Sequence, residues 1–174
     1  MIENDVTAKL RLRSPHEEDA KAIWELIKDT KVLDLNSAYS YLLLSKYFSD
    51  TCVVAEIESK VIGFISAFSP PHKPEVIFIW QVAVDEAFRR RKLGLKMLKH
   101  LLNRGSCNKT QFLEITITPS NKAAESLYRK LAAELKTNCE LFTCFPARLF
   151  PGGQHEDELM LRIGPIKMNS EPRK

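Results

Sequence analysis

The chain of 174 residues lacks the features that define several whole classes of protein. Its four cysteines, at positions 52, 107, 139 and 144, form no C-x-x-C pair, and their spacing to the four histidines is not typical of a metal site. No apolar run approaches the roughly 18 residues of a membrane-spanning helix, and the N-terminal MIENDVTAKL is too polar for a signal peptide. We therefore expect a cytoplasmic protein with reduced thiols, no metal and no membrane contact.

The sequence also lacks the broad basic excess of a dedicated nucleic-acid binder, because its net charge is only +4. It contains neither an internal repeat nor a composition break that would indicate a linker. At this length one domain can bury its own core, so we expect a single domain over residues 1–167. The polar residues 168–174 are expected to form a disordered tail.

What the sequence does contain is an alternation of strand and helix patterns. KLRLR predicts a strand. SPHEEDAKAIWELIKDT predicts an amphipathic helix with Ser14 as its N-cap, Pro15 at its first position and Glu17 as the capping-box partner; its apolar stripe is Ala20, Ile23, Trp24 and Ile27. NSAYSYLLLSKYF predicts a second helix capped near Asn36 or Ser37. TCVVAEI and VIGFISAFS predict a hairpin, and the nearly all-apolar EVIFIWQVAVD predicts a central strand covered on both faces. A helix rich in leucine follows.

The C-terminal third continues this alternation. QFLEITITPS predicts a strand, Ser120 caps a helix over NKAAESLYRKLAAEL, and HEDELMLRIG predicts the last strand. The predicted order is β-α-α-β-β-β-α-β-α-β. This order is typical of an α/β fold with a mixed central sheet and helices on both faces.

Four consecutive cations, Arg89 to Lys92, stand between the buried strand and the following helix. The first turn of a helix has backbone N–H groups without intrahelical partners, and its dipole favours an anion. Gly94 would let a ligand approach the backbone, and arginines bind phosphate oxygens well. A solvated helix start and a nuclear address remain open. Neither the P-loop pattern nor G-x-G-x-x-G is present.

This stretch resembles the coenzyme A loop of the GCN5-related N-acetyltransferases (GNATs), whose pattern is Gln/Arg-x-x-Gly-x-Gly/Ala. Arg89 and Gly94 match, whereas Lys92 replaces the middle glycine. In that family an asparagine and a tyrosine seven residues later flank the pantetheine arm, as Asn121 and Tyr128 would here. The resemblance implies a GNAT fold that binds acetyl-CoA through Val82, Ala83, Val84, Arg89, Arg90, Arg91, Lys92, Leu93, Gly94, Leu95, Asn121 and Tyr128.

Four blocks, VLDLNSAYSYLLL, VIFIWQVAVD, TITPSNKAAESLY and HEDELMLRIGP, resemble more narrowly the L-2,4-diaminobutyrate acetyltransferases of ectoine synthesis. The resemblance implies transfer of acetyl from acetyl-CoA to the 4-amino group of diaminobutyrate, by direct attack of the amine in a ternary complex. It also implies a homodimer. A related acetyltransferase that acts on another amine, such as a polyamine, an amino acid or a protein N-terminus, is the alternative. A basic module that binds nucleic acid through Arg89 to Lys92 is a third, disfavoured by the acid-rich remainder.

Such a reaction requires particular side chains. An amine with a pKa of about 10 arrives protonated, with roughly one molecule in a few thousand free at neutral pH. The site therefore needs carboxylates that attract the cation, a base for its proton and a donor for the leaving thiolate.

Several residues fit these needs, and each has a simpler explanation. Asp34 is expected to bind the amine but could cap a helix, and Trp80 is expected to line the pocket but could be core. Glu158 is expected to bind the amine and accept its proton, although the run Glu156 to Glu158 could be a solvated turn. Tyr128 is expected to donate to the thiolate but could be a core aromatic.

The complete predicted substrate set is Asp34, Tyr39, Trp80, Gln81, Thr116, His155, Glu156 and Glu158, with Glu158 and Tyr128 catalytic. His155 could instead be a surface residue, and Thr116 simply a strand former.

Overall fold

The computed structural model describes residues 9–167, so the predicted disordered tail at 168–174 lies outside the described residues. The helices and strands, in chain order, are β1 (Arg11–Arg13), α1 (Ala20–Thr30), α2 (Ala38–Tyr47), β2 (Val53–Ile57), β3 (Lys60–Phe68), β4 (Val76–Val84), α3 (Leu93–Leu102), β5 (Phe112–Ile117), α4 (Lys122–Leu135), β6 (Asn138–Phe145) and β7 (Glu158–Gly164). Short 3-10 turns lie at Glu17–Asp19, Glu86–Phe88, Gly105–Cys107 and Ala147–Leu149. No helix among the described residues is long and apolar enough to cross a membrane.

The strands form one sheet of seven in the order β1-β2-β3-β4-β5-β7-β6. The β4–β5 pair is parallel, whereas β1–β2, β2–β3, β5–β7 and β6–β7 are antiparallel, which confirms the predicted mixed sheet. The predicted order is confirmed as far as α4 but omitted β6. Most residues of β6, NCELFTCF, are exposed, so the strand lacks the alternation of buried and exposed positions that predicts a strand.

By internal contacts the chain divides into two compact units. The first unit takes the described residues up to Ser66 together with Gln81–Leu101, and the second takes Ala67–Trp80 and the described residues from Leu102 onward. The boundaries fall inside β3, β4 and α3 rather than in linkers.

In the first unit, helices cover both faces of the strands. The residues of β2 and β3 that pack with the buried side of α1 and α2 are Val54 and Phe64, which stand opposite each other. The neighbouring pair, Ala55 and Gly63, points to the other face, because side chains alternate along a strand. There Met97 of α3 lies so close that a Cβ on Gly63 would be 2.9 Å from its sulfur.

The helix predicted to start at Ser14 and Pro15 starts later: a 3-10 turn over Glu17–Asp19, with His16 as its N-cap, precedes α1, which begins at Ala20. The Asp19 carboxylate accepts the backbone N–H of His16 at 2.7 Å, which fixes where the turn begins.

The entry into α1 is fixed by a charged cluster. The Arg13 guanidinium bonds both carboxylate oxygens of Asp19, at 2.6 and 2.8 Å, and also bonds Glu56 of β2 at 2.7 Å. These contacts hold the pKa values of both carboxyls below their usual range; for Asp19 burial acts in the opposite direction. The cluster ties β1, α1 and β2 together at their shared end.

In the second unit, α4 contacts β6 and β7 and buries Tyr128, Leu131 and Ala132. The predicted cap at Ser120 was wrong by one residue. Asn121 is the N-cap, because its side-chain oxygen accepts the backbone N–H of Ala124 at 3.1 Å.

Candidate active site

The basic loop, Arg89–Lys92, connects the 3-10 turn Glu86–Phe88 with α3 in the first unit. All four cations are exposed. The backbone N–H of Lys96 donates to the carbonyl of Lys92 at 3.0 Å, so the helix begins directly after the loop. By helical geometry the N–H groups of the first turn have no intrahelical acceptor, so exposed cations and free donors occur together at this helix start.

Lys92 takes the backbone conformation that the middle glycine of the motif would favour. Its φ is 61°, in the left-handed region that side chains rarely adopt, and Arg90 has a φ of 60°. The substitution of lysine for glycine therefore keeps the glycine-type turn at this position. It also adds a cation.

Two arginines of the loop already make contacts within the first unit. Arg89 Nε donates to the carbonyl of Val84, at the end of β4, at 3.3 Å. The Arg91 guanidinium lies 5.4 Å from the Phe88 ring centre, a cation–π contact. A groove of about 550 Å³ borders this region, and its lining includes Val84 and Arg89. A second cavity, about 420 Å³ at Pro74, Glu75 and residues 108–111, contains no predicted site residue.

Gln81 and Asp34 are brought together in the first unit. Gln81 is buried, with 6% of its surface exposed, and its side-chain amide donates to the backbone carbonyl of Asp34 at 2.7 Å. Asp34 itself is exposed, and no side chain of residues 9–167 pairs with its carboxylate. It lies two residues before Asn36 and does not cap α2, because Ser37 does so by accepting the N–H of Ser40 at 3.3 Å. The capping explanation of Asp34 is therefore excluded.

Tyr39 lies apart from this contact, with 66% of its surface exposed. The tyrosine that meets Gln81 is Tyr41, which is fully buried and donates its hydroxyl to Gln81 Oε1 at 3.2 Å. The sequence analysis missed Tyr41. Its helical spacing from the buried Leu44 and Ser45 marks it as inward-facing, but nothing local indicates its partner 40 positions away.

On β4, Val82 and Val84 are half-buried, and Ala83 joins the apolar core formed with α1 and α2. Trp80 is 43% exposed, which excludes its explanation as a core residue.

The acidic segment, residues 155–158, lies before and at the start of β7 in the second unit. Its members have different partners. Glu156 accepts a hydrogen bond from the Ser120 hydroxyl, and Asp157 accepts the backbone N–H of Ala147 at 2.7 Å. Glu158 begins β7 and lies 3.8 Å from the Nε2 of His155. The three consecutive acids are therefore not a uniform solvated turn.

The tautomer of His155 is fixed by its neighbours. Its Nδ1 lies 2.6 Å from the carbonyl oxygen of Glu156, and because a carbonyl only accepts, Nδ1 carries the proton. In the neutral ring, Nε2 then presents its lone pair on the side of Glu158. The ring also stacks on Phe150, with centres 3.7 Å apart and planes 6° from parallel. The sequence analysis missed Phe150, for which no motif gives a signal.

Thr116 lies on β5 opposite Met160 of β7. Glu158 stands two residues before Met160 and so on the same face of the strand, a diagonal neighbour of Thr116. Glu158 is therefore two residues along β7 from the position directly opposite Thr116.

Tyr128 is 3% exposed on the buried side of α4. Burial raises the pKa of its hydroxyl above its usual range, because the charged form loses its solvation. Asn121, seven residues earlier, uses its side-chain oxygen as the cap of the same helix. Its amide NH₂ is not needed for the cap.

Among residues 9–167 no group of three or more His, Cys, Asp or Glu side chains is arranged to hold a metal ion.

Residues 20–133 match the model of the acetyltransferase (GNAT) family. The chain therefore belongs to the GNAT family. It is 45% identical over 161 residues to the L-2,4-diaminobutyric acid acetyltransferase of Shouchella clausii, covering 92% of this chain and 90% of that protein.

Two solved structures extend the comparison. The diaminobutyrate acetyltransferase EctA from Paenibacillus lautus, in complex with its substrate L-2,4-diaminobutyric acid and coenzyme A, is 42% identical with a TM-score of 0.89. That similarity covers 94% of this chain and 99% of the other. The chain is also similar to Ard1 from Thermoplasma volcanium, with 17% identity and a TM-score of 0.74. That similarity covers 91% of this chain and 99% of the other, and it shows the fold alone.

Proposed function

We propose that this protein transfers acetyl from acetyl-CoA to the 4-amino group of L-2,4-diaminobutyrate. The product is N4-acetyl-L-2,4-diaminobutyrate, the precursor in ectoine biosynthesis. The observation that carries the proposal is the similarity over 94% of the chain to an enzyme solved with that substrate and coenzyme A.

In the proposed reaction the free 4-amino group attacks the thioester carbonyl carbon in a ternary complex. The C–N bond forms, the C–S bond breaks and coenzyme A leaves as a thiolate, while the nitrogen loses a proton. Since the amine has a pKa of about 10, deprotonation costs about 4–5 kcal/mol at neutral pH. The protein must therefore supply a proton acceptor.

The basic loop is proposed to bind the pyrophosphate of acetyl-CoA. Its fit rests on three features: four exposed cations, the free N–H groups of the α3 first turn, and the glycine-type φ of Lys92. The extended backbone of Val82–Val84 is proposed to run alongside the pantetheine arm. Asn121, whose amide NH₂ the cap does not use, is proposed to donate to that arm.

Glu158 is proposed as the proton acceptor, with His155 as its assistant. The 3.8 Å separation and the lone pair on Nε2 support a transfer in which the proton is shared between carboxylate and ring. Thr116, on the same strand face as Glu158, and Glu156, beside His155, are proposed to line the substrate site.

Tyr128 is proposed as a hydrogen-bond donor to the departing sulfur. A thiol has a pKa of about 8.5 and a tyrosine about 10, and burial raises the Tyr128 pKa further. Full proton transfer to the thiolate is therefore uphill, whereas a hydrogen bond is not.

Asp34 is proposed to attract the cationic amine, and the exposed indole of Trp80 to lie against the aliphatic chain of the substrate. Tyr39, exposed on α2, is proposed as a further contact.

We further propose one acetyltransferase domain over residues 1–167. Domain boundaries normally fall in linkers, and the boundaries between the two compact units fall inside β3, β4 and α3 instead.

A homodimer is proposed from the family resemblance. It is supported by the edge strand β6, whose Leu141, Phe142 and Phe145 are each 40% or more exposed.

A cytoplasmic location is proposed because all four cysteines are free thiols.

The test is coenzyme A release, followed by chromatography, with acetyl-CoA and a panel of amines: diaminobutyrate, ornithine, lysine, putrescine and a peptide N-terminus. We expect diaminobutyrate to give the highest kcat/KM, and NMR of the product to place the acetyl group on the 4-nitrogen. A higher kcat/KM for another amine, or acetylation of the 2-nitrogen, would contradict the proposal.

A further inference from the structure

Gln81 is held by three hydrogen bonds within the first unit. Its backbone N–H donates to the hydroxyl of Ser66 at 3.0 Å, its Oε1 accepts from the Tyr41 hydroxyl at 3.2 Å, and its Nε2 donates to the Asp34 carbonyl at 2.7 Å. Ser66 and Tyr41 are fully buried. Both ends of the Gln81 amide are therefore engaged by the protein itself.

The direction of each bond in this network is determined. The Asp34 carbonyl can only accept, so the NH₂ end of Gln81 must face it and the oxygen must face Tyr41. Tyr41 must then donate to that oxygen, and its own oxygen accepts the backbone N–H of Asn36, at 3.4 Å. The network runs from Asn36 through Tyr41 and Gln81 back to Asp34.

Both ends of the network thus lie on one short segment, residues 34–36, between α1 and α2. This segment has no regular secondary structure, and just before it the Leu33 N–H donates to the Thr30 hydroxyl at 3.4 Å. The Tyr41 ring is fixed in turn by an edge contact with Phe64, at 6.3 Å between centres. A buried, rigid support therefore holds the backbone that carries the Asp34 carboxylate.

We infer that Gln81 does not bind the substrate directly but, together with Tyr41, is a positioning residue for Asp34. The inference rests on the proposed function, in which Asp34 binds the amine. A carboxylate held in place before the ligand arrives binds more tightly than one that must be ordered on binding. Loss of the network should therefore weaken substrate binding and leave the chemical step intact.

Tyr41→Phe is the sharpest test, because Tyr41 is fully buried and its hydroxyl reaches the 34–36 segment through Gln81 and through the backbone N–H of Asn36. We expect KM for diaminobutyrate to rise about 5- to 20-fold, with kcat and KM for acetyl-CoA changed less than about 2-fold. Tyr47→Phe, at a 68% exposed tyrosine on the same helix, is the matched control and should change none of the three.

A double-mutant cycle separates positioning from direct contact. If Tyr41 and Gln81 act through Asp34, then Tyr41→Phe and Gln81→Met should each change kcat/KM less than about 2-fold in an Asp34→Ala background. The same fold-change with and without Asp34 would overturn the inference. It would indicate that Gln81 meets the substrate itself.

Hydrogen–deuterium exchange of a peptide covering residues 31–37 tests the network without any assay of activity. Tyr41→Phe should speed exchange in this peptide, whereas Tyr47→Phe should not. Unchanged exchange would overturn the inference even if the enzyme acetylates diaminobutyrate. Absence of diaminobutyrate turnover in the wild type would instead count against the proposed function, with the exchange result still deciding whether the network holds the segment.

Discussion

The two carboxylates proposed to meet the substrate amine are supported by different kinds of contact. The backbone carbonyl of Asp34 accepts a hydrogen bond from the side chain of Gln81. Gln81 is a buried residue of β4 and lies 47 positions further along the chain. Glu158 instead follows a surface segment held by exposed contacts: Glu156 with Ser120, Asp157 with Ala147, and His155 stacked on Phe150. A support that reaches into the core suits recognition, because it fixes a charge in place. A strand end beside an imidazole suits proton transfer, because the ring can gain and lose a proton.

This difference leads us to expect two kinds of kinetic effect. Substitutions of Asp34 and of the residues that support it should mainly change KM, and substitutions of Glu158 should mainly change kcat.

The largest effect is expected for Glu158→Gln, which keeps the size of the side chain and removes its basicity. We expect kcat to fall about 10²- to 10⁴-fold, because no other carboxylate takes over the proton. The wild-type rate should climb towards alkaline pH as free amine becomes available, and the slope should flatten in the variant. A series of kcat values from pH 6 to 10 measures both.

Glu18→Gln, at an exposed glutamate before α1, is the matched control and should behave as the wild type. Full kcat with an unchanged pH profile in Glu158→Gln would make Glu158 a binding residue only, with the same role as Asp34.

Tyr128→Phe is expected to lower kcat by about 10- to 100-fold, as for loss of one donor to developing negative charge. Affinity for coenzyme A, measured by calorimetry, should change little. If kcat is unaltered, Tyr128 belongs to the packing of α4 and has no part in the reaction.

These expectations also show what sequence patterns can and cannot reveal. The helix α1 was predicted because Ala20, Ile23, Trp24 and Ile27 repeat at helical spacing, and in the structure this stripe packs into the core of the first unit. The basic loop was predicted because its four cations and Gly94 lie within six consecutive residues. The Tyr41–Gln81 bond joins residues 40 positions apart, and neither has an unusual local context. Contacts of that kind depend on how strands and helices pack, which composition and periodicity do not specify.

The third prediction concerns the basic loop in the first unit. Replacing Arg89, Arg90 and Arg91 together by alanine should weaken acetyl-CoA binding about 10- to 100-fold at low salt, because charge-assisted hydrogen bonds are lost. Binding to the wild type should weaken with added salt, and binding to the variant much less. Calorimetry at several ionic strengths measures both.

A variant with Lys21, Lys109 and Lys130 changed to alanine removes the same charge from exposed positions elsewhere. It should retain full affinity. If both triple variants lose affinity equally, net charge rather than the loop attracts the cosubstrate.

The smallest effect is expected in the stability of the protein at high pH. Burial raises the pKa of Tyr128 in the folded state, so above pH of about 10 an unfolded tyrosine releases a proton that the folded one keeps. The free energy of unfolding should therefore be unaffected below that pH and should fall above it, by at most about 1.4 kcal/mol per pH unit from this residue. The free energy of unfolding, measured by denaturant titration from pH 8 to 11, should fall less steeply with pH in Tyr128→Phe than in the wild type. Equal declines in both proteins would show that Tyr128 titrates as an exposed tyrosine.

The unequal exposure of the two tryptophans has an optical consequence. Trp24 packs against the core of the first unit with Lys28 over its ring at 5.1 Å, whereas Trp80 is 43% exposed on β4. Indole emission moves to shorter wavelength when water around the ring is displaced, so Trp80 reports on whatever covers it. Replacing Trp24 by phenylalanine would leave Trp80 as the only tryptophan of the chain. Binding of a ligand over the Trp80 ring can then be followed by the shift in tryptophan fluorescence, without acetyl transfer.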